Sequence, residues 1–182
     1  GGENLTIDAK SNEKFCFIKE FISLKNIIEL TLKGKKEINC DYIDVISFDL
    51  DGNDLFLVDE LLKNNFKPKL FIVEYNGKFP PPIQWRMNYN EKHIWDGSDY
   101  YGASLASFNE LFVNNDYELI CCNAHTGSNA FFIKKEYLKL FDDVPKNIED
   151  IYVPPRYFLH NVFGSHSFSH PQSVKTINKL FE

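Results

Sequence analysis

The chain has 182 residues, a net charge of -6 and an aromatic content of 15%. That length buries the core of one domain. An acidic balance without recurring Lys/Arg clusters interleaved with aromatics argues against a nucleic-acid partner. No apolar run reaches the ~18 residues a spanning helix needs, and no signal-peptide pattern is present. The four cysteines, Cys16, Cys40, Cys121 and Cys122, include no Cys-x-x-Cys pair. They read as reduced thiols, which together with the missing membrane signals leads us to expect a cytoplasmic protein. Neighbouring residues of a strand face opposite ways, so Cys121 and Cys122 do not reach one partner.

In chain order, Phe15-Cys16-Phe17-Ile18 reads as a short buried strand. Ser23 is a candidate N-cap for a helix from about Leu24 to Lys33, stopped by Gly34. The basic run Lys33-Gly34-Lys35-Lys36 then reads as a solvated helix end rather than a phosphate site. A polar linker over 35–42 leads into a strand from Asp44 to Asp49. Asn53 or Asp54 caps a helix whose apolar positions Leu55, Val58, Leu61 and Leu62 recur at helical spacing. Leu70-Phe71-Ile72-Val73 is an unbroken apolar run, as in a strand covered on both faces, and it ends in Glu74. Residues 44–74 thus predict a right-handed βαβ unit.

Residues 75–102 form a long irregular segment, of the kind used as lids or binding loops. A helix carrying Leu105, Phe108, Leu111 and Phe112 follows, with Ser98 or Asp99 near its cap. Tyr117 to Cys122 and Ala130 to Ile133 are joined by a short turn, which demands an antiparallel hairpin. Lys135 to Phe141 reads as a short helix. The expected fold is α/β, a doubly wound and mainly parallel sheet closed by an antiparallel hairpin. We place one domain over residues 1–141 and a tail over 142–182 that packs on it. Tyr152, Tyr157, Phe158 and Phe163 are the tail's anchors, and the spacing of His160, His166 and His170 fits no metal pattern.

The site is read from the strand ends. Asp49, Asp51 and Asp54 follow one apolar run and Glu74 ends the next, so pairing of the two strands gathers four carboxylates at one sheet edge. Ligands of open α/β sheets bind at the carboxyl ends of strands. Like charges so close raise one another's pKa or recruit a hard cation such as Mg²⁺ or Ca²⁺. Alternatively, one carboxylate, Asp49 first, acts as a general base. Gly52 permits an unusual backbone or a close approach. His125 reaches the same edge if the Tyr117–Cys122 strand is parallel to the others, as base or substrate contact, with Asn129 beside it. His93 has a weaker version of that role. Trp95-Asp96-Gly97-Ser98-Asp99-Tyr100-Tyr101-Gly102 sets aromatics beside carboxylates, which suits a sugar or another polyhydroxylated ligand.

Four segments carry a resemblance: Phe48 to Asp54, Ile72-Val73-Glu74-Tyr75-Asn76, Trp95 to Leu105, and Asn129-Ala130-Phe131-Phe132. In that order they resemble the second half of FkbM-like methyltransferases, over roughly residues 15–135. The resemblance implies a Rossmann-like S-adenosylmethionine-dependent fold and methyl transfer to a hydroxyl, often of a sugar or secondary metabolite. The resemblance matches Asp49, Asp51 and Glu74 to metal-binding places. With the residue reading above, we expect Asp49 and His125 in catalysis, Asn76, Trp95, Asp99, Tyr100 and Asn129 on a small-molecule or sugar acceptor, and Asp49, Asp51, Asp54 and Glu74 on a divalent metal such as Mg²⁺. Similar sugar O-methyltransferases of the macrocin type place metal carboxylates after the corresponding strands.

The donor-binding glycine-rich turn of that fold is missing, and Gly1-Gly2-Glu3 is not one. The chain starts without Met and has its one Met at position 87. We therefore expect it to lack the first strands of the fold and to expose an apolar edge open to pairing with a second copy. Two other readings stay open. Phe48-Asp49-Leu50-Asp51-Gly52 also resembles the nucleophile motif of haloacid-dehalogenase-like phosphatases, with Asp49 attacking phosphate beside Mg²⁺. Asn53 stands there where Thr is usual. The chain also reads as a non-catalytic methyltransferase-like binding module.

Overall fold

A computed structural model describes residues 14–156 and 171–181. Its elements are α1 (Ile27–Glu37), β1 (Val45–Phe48), α2 (Asp54–Lys63), β2 (Leu70–Glu74), α3 (Leu105–Val113), β3 (Tyr117–Cys122), β4 (Asn129–Lys134), a 3₁₀ turn (Lys135–Leu140), α4 (Ile148–Ile151) and α5 (Pro171–Leu180). The four strands form one open mixed sheet in the order β1-β2-β4-β3. β1 and β2 are parallel, β4 returns antiparallel beside β2, and β3 pairs antiparallel with β4. The fold is thus α/β, but the expected mainly parallel sheet is corrected: one of its three strand pairs is parallel. The hairpin supplies the other two, because β4 inserts between β2 and β3.

The register explains which residues are buried. Phe48 pairs with Val73, Val73 with Ala130 and Ala130 with Cys122; Phe71 pairs with Phe132 and Phe132 with Leu119. All of these side chains are buried. They meet Leu57, Val58 and Leu61 of α2 and Leu105, Phe108 and Phe112 of α3 in one core cluster. Phe112 stacks on Phe132 at 4.1 Å between ring centroids and meets Phe71 at 5.1 Å. The hydroxyl of buried Tyr117 donates to the Pro68 carbonyl at 2.6 Å, satisfying its one polar atom inside that core.

The opposite face carries Ser47, Ile72 and Cys121, which are half-buried or exposed. The unbroken Leu70–Val73 run is therefore covered on one face rather than equally on both. The same alternation leaves Cys121 exposed and Cys122 buried. Burial pushes the Cys122 thiol up to about 11.

Several element ends move. The Phe15–Ile18 strand is absent: Phe15 makes a single bridge and the next residues have no regular structure. α1 runs through Gly34 to Glu37, which shortens the expected linker. Its exit is taken by Asn39, whose φ of 51° is left-handed, a conformation Asn tolerates. Lys35 and Lys36 in the last turn complement the helix dipole and offset the cost of an interior glycine. α3 is capped by Ser104, not Ser98 or Asp99; the Ser104 hydroxyl accepts from Ser107 N. Of the tail anchors, Tyr152 donates its hydroxyl to the Gly77 carbonyl at 2.6 Å. Tyr157, Phe158, Phe163, His160, His166, His170 and Gly1-Gly2-Glu3 lie outside the described residues.

Candidate functional site

The parallel pair sets the site. Asp49 follows the last residue of β1, Glu74 ends β2, and Asn129 opens β4 directly opposite Glu74 in register. Side-chain parity puts all three on the half-open face, one step beyond the core. Asp51 reaches the same place from the following turn. One carboxylate oxygen from each of Asp49, Asp51 and Glu74 lies within 4.8 Å of the other two. Asp49 and Asp51 are exposed and Glu74 half-buried.

Among the described residues no lysine or arginine forms an ion pair with this triad. Its charges therefore act on each other. Burial, then repulsion from Asp49, Asp54 and Asp51, pushes Glu74 up to about 9. Burial and Asp51 also raise Asp49, against the hydrogen bond that Asn129 donates to it. Crowded carboxylates of this kind hold a proton or accept a cation.

Asp54 does not join the triad. Its Oδ1 accepts from Leu50 N at 2.9 Å and its Oδ2 from Gly52 N at 3.0 Å. It is 1% exposed, and burial pushes it up to about 6 in spite of those two donors. The carboxylate thereby closes the strand-end turn and holds Asp51 at its left-handed φ of 54°, a conformation that costs most residues 1–2 kcal/mol by order of magnitude. Gly52 permits a close approach, as its position predicts, and the group that approaches is His93. A Cβ on Gly52 would sit 2.3 Å from the His93 ring. His93 Nε2 lies 3.1 Å from the Asp51 carbonyl. That carbonyl can only accept, so the bond requires the proton on Nε2.

The long 75–104 segment is ordered around this turn. Asn53 clamps it from below: its Nδ2 donates to the Asn90 carbonyl at 2.8 Å and its Oδ1 accepts from Asn90 N at 3.1 Å. Nothing in the sequence marks Asn53 for this; a buried Asn at a helix start reads as a cap, yet it makes no cap bond. Asn76, fully buried, donates to the carbonyls of Asp99 and Tyr101. Asp99, 2% exposed, accepts from Ser173 N. Both are thus engaged in holding the loop. Trp95 donates its indole N–H to the Ser98 carbonyl at 2.7 Å. The Tyr100 hydroxyl accepts from Asn88 N, and its ring lies edge-on to Trp85.

His125 sits at the same end of the sheet, because β3 runs in the direction of β1 and β2. It is exposed in the Asn123–Ser128 turn, where its backbone N–H donates to Asn123 Oδ1. It is not part of the carboxylate group. Asn129 is the predicted acceptor contact that the structure brings against the triad. The chain segment after α4 covers the neighbouring turn: Arg156 N donates to the Thr126 carbonyl, and a Cβ on Gly127 would strike the Pro154 carbonyl oxygen at 2.3 Å.

Comparison with known proteins leaves this geometry to speak alone: no family model, curated protein or solved structure matches the chain. Among the described residues no helix is long and apolar enough to cross a membrane.

Proposed function

We propose that this chain carries the acceptor and metal side of an S-adenosylmethionine-dependent methyl transfer to a hydroxyl of a sugar or related small molecule. One observation carries the reading. Two parallel strands deliver Asp49 and Glu74 to one end of a sheet whose closing hairpin lies antiparallel beside them. That is the arrangement the FkbM-like resemblance implies.

An all-oxygen set of three carboxylates fits a hard divalent cation, and Asp49, Asp51 and Glu74 would hold it. When bound, such an ion supplies Lewis acidity toward an acceptor oxygen. The chain's own residues set the geometry. Asn129 fixes Asp49, the Asp54 carboxylate fixes the turn carrying Asp51, and Asn53 fixes the loop above them. His125 lies in the exposed turn at this same end of the sheet. The methyl donor is different. The turn after β1 has one glycine, and His93 already fills the space beside it. The described residues do not fit that group, and no step is assigned to it.

The test is calorimetric titration of this chain, and of any longer form of the protein, with S-adenosylhomocysteine, with and without Mg²⁺. Saturable binding that Mg²⁺ leaves intact or strengthens supports the reading. No binding under either condition overturns it. Hydrolysis of a phosphate monoester, lost in Asp49→Asn, would favour the phosphatase reading instead.

A further inference from the structure

A hollow of about 390 Å³ lies between α2, α3 and the stretch Gln84-Trp85-Arg86. None of the strand-end carboxylates lines it. Its floor is rigid. The Trp85 backbone N–H donates to Ser104 Oγ at 3.0 Å, and the Trp85 carbonyl accepts from Ser104 N at 2.8 Å and Ser107 Oγ at 3.0 Å. The indole stacks on Phe79 at 4.1 Å between centroids and 8° between planes.

The polar wall is the opposite. The side chains of Gln84, Arg86, Glu110 and Asn114 make no hydrogen bond or ion pair among the described residues. The Arg86 guanidinium lies 5.5 Å from the Phe56 ring centroid and is otherwise uncommitted. Asp59, on the same wall, is already bonded to Lys63 at 2.6 Å. A fixed floor thus meets two amides, one carboxylate and one guanidinium with open hydrogen-bonding capacity.

We propose that this hollow binds a neutral saccharide of one or two pyranose rings. Vicinal hydroxyls donate and accept together, and they match planar amide, carboxylate and guanidinium groups presented side by side. A pyranose C–H face matches the apolar side chains of Leu55, Phe56 and Leu111 in the lining. The volume lies within the roughly 300–1,000 Å³ of small-molecule sites. Charge selects for neutrality. Arg86 is balanced by Glu110, and Asp59 by Lys63, so a phosphate would meet Glu110 and a polyamine would meet Arg86. The proposal rests on residues separate from the triad and does not depend on methyl transfer.

The experiment is a ¹H–¹⁵N correlation titration with cellobiose, maltose and N,N′-diacetylchitobiose, beside glucose 6-phosphate. At least one disaccharide should give saturable shifts, with a Kd on the order of 1 mM. The shifts should centre on the side-chain amides of Gln84 and Asn114 and on the Trp85 indole, and leave the Trp95 indole unmoved. Glu110→Gln and Arg86→Ala alter exposed side chains and should leave the remaining spectrum native. Each should weaken that disaccharide about fivefold or more, through loss of a charge-assisted bond. No saturable shift with any disaccharide overturns the proposal. So does unchanged affinity in both variants, or tighter binding of glucose 6-phosphate.

Discussion

The two ends of the sheet handle charge in opposite ways. At the amino ends of β1 and β2, Lys69 bridges Asp44 at 2.6 Å, and Lys35 donates to the Asp41 carbonyl. Lys134, at the far end of β4, bridges Glu136. Lys69, Asp44, Lys134 and Glu136 each have an oppositely charged partner there and remain solvent-accessible. At the carboxyl ends, Asp49, Asp51 and Glu74 crowd together without a lysine or arginine among the described residues, over a buried Asp54. Exposed pairs contribute little to stability because water screens them and ordering two long side chains costs entropy. Buried or crowded like charges cost energy, and a fold retains them where something offsets them. The difference is the reason we propose the carboxyl ends of the strands as the functional end.

The largest expected effect comes from breaking the buried support of that end. Asp54→Ala leaves the N–H groups of Leu50 and Gly52 without their acceptor. Urea unfolding should show a loss of about 3 kcal/mol, since each buried unsatisfied donor costs roughly 1–3 kcal/mol. Gly52→Ala comes next. The added Cβ collides with the His93 ring, and overpacking of this kind costs about 1–3 kcal/mol. In a His93→Ala background the same change should cost distinctly less, and equal costs in both backgrounds would refute the contact.

A pH effect of smaller size follows from Asp54. Its folded pKa of about 6 exceeds the ordinary 3.8, so the native state binds that proton more tightly than the unfolded chain. The stability it contributes is full below 3.8 and is lost as pH rises through about 6. Denaturation midpoints should fall across that window, and Asp54→Asn should flatten the fall. The smallest effect is expected at the other end. Lys69→Ala removes an exposed pair, and its unfolding midpoint should stay within the scatter of ordinary surface substitutions.

Legibility from sequence differed between elements for physical reasons. β2 and β3 have the bounds their apolar runs predict, because a paired strand ends where its hydrophobic pairing ends. Phe15–Ile18 has the same local character but forms only one bridge, and no local pattern reveals whether a partner strand is at hand. The end of α1 was misplaced because Gly34 reads as a stop, whereas Asn39 supplied the left-handed exit. At the site, the meeting of Asp49 with Glu74 was legible, since parallel neighbours of equal direction must end together. The separation of Asp54 from them was not. An acid in a first helical turn reads the same whether it faces a ligand or folds back onto two backbone N–H groups. Asn53 and His93 were illegible as clamps for a related reason: each acts across some 40 residues of irregular chain.

The central claim is that the crowded carboxyl end is an oxygen-ligand site for a divalent cation. Mn²⁺ titration followed by paramagnetic broadening in the ¹H–¹⁵N spectrum tests it directly. The account predicts saturable broadening centred on Asp49, Asp51, Glu74 and Asn129 and falling off with distance from them, displaced by Mg²⁺ and abolished in Glu74→Gln. Broadening spread over the exposed acids of the surface, or unchanged in Glu74→Gln, would contradict it.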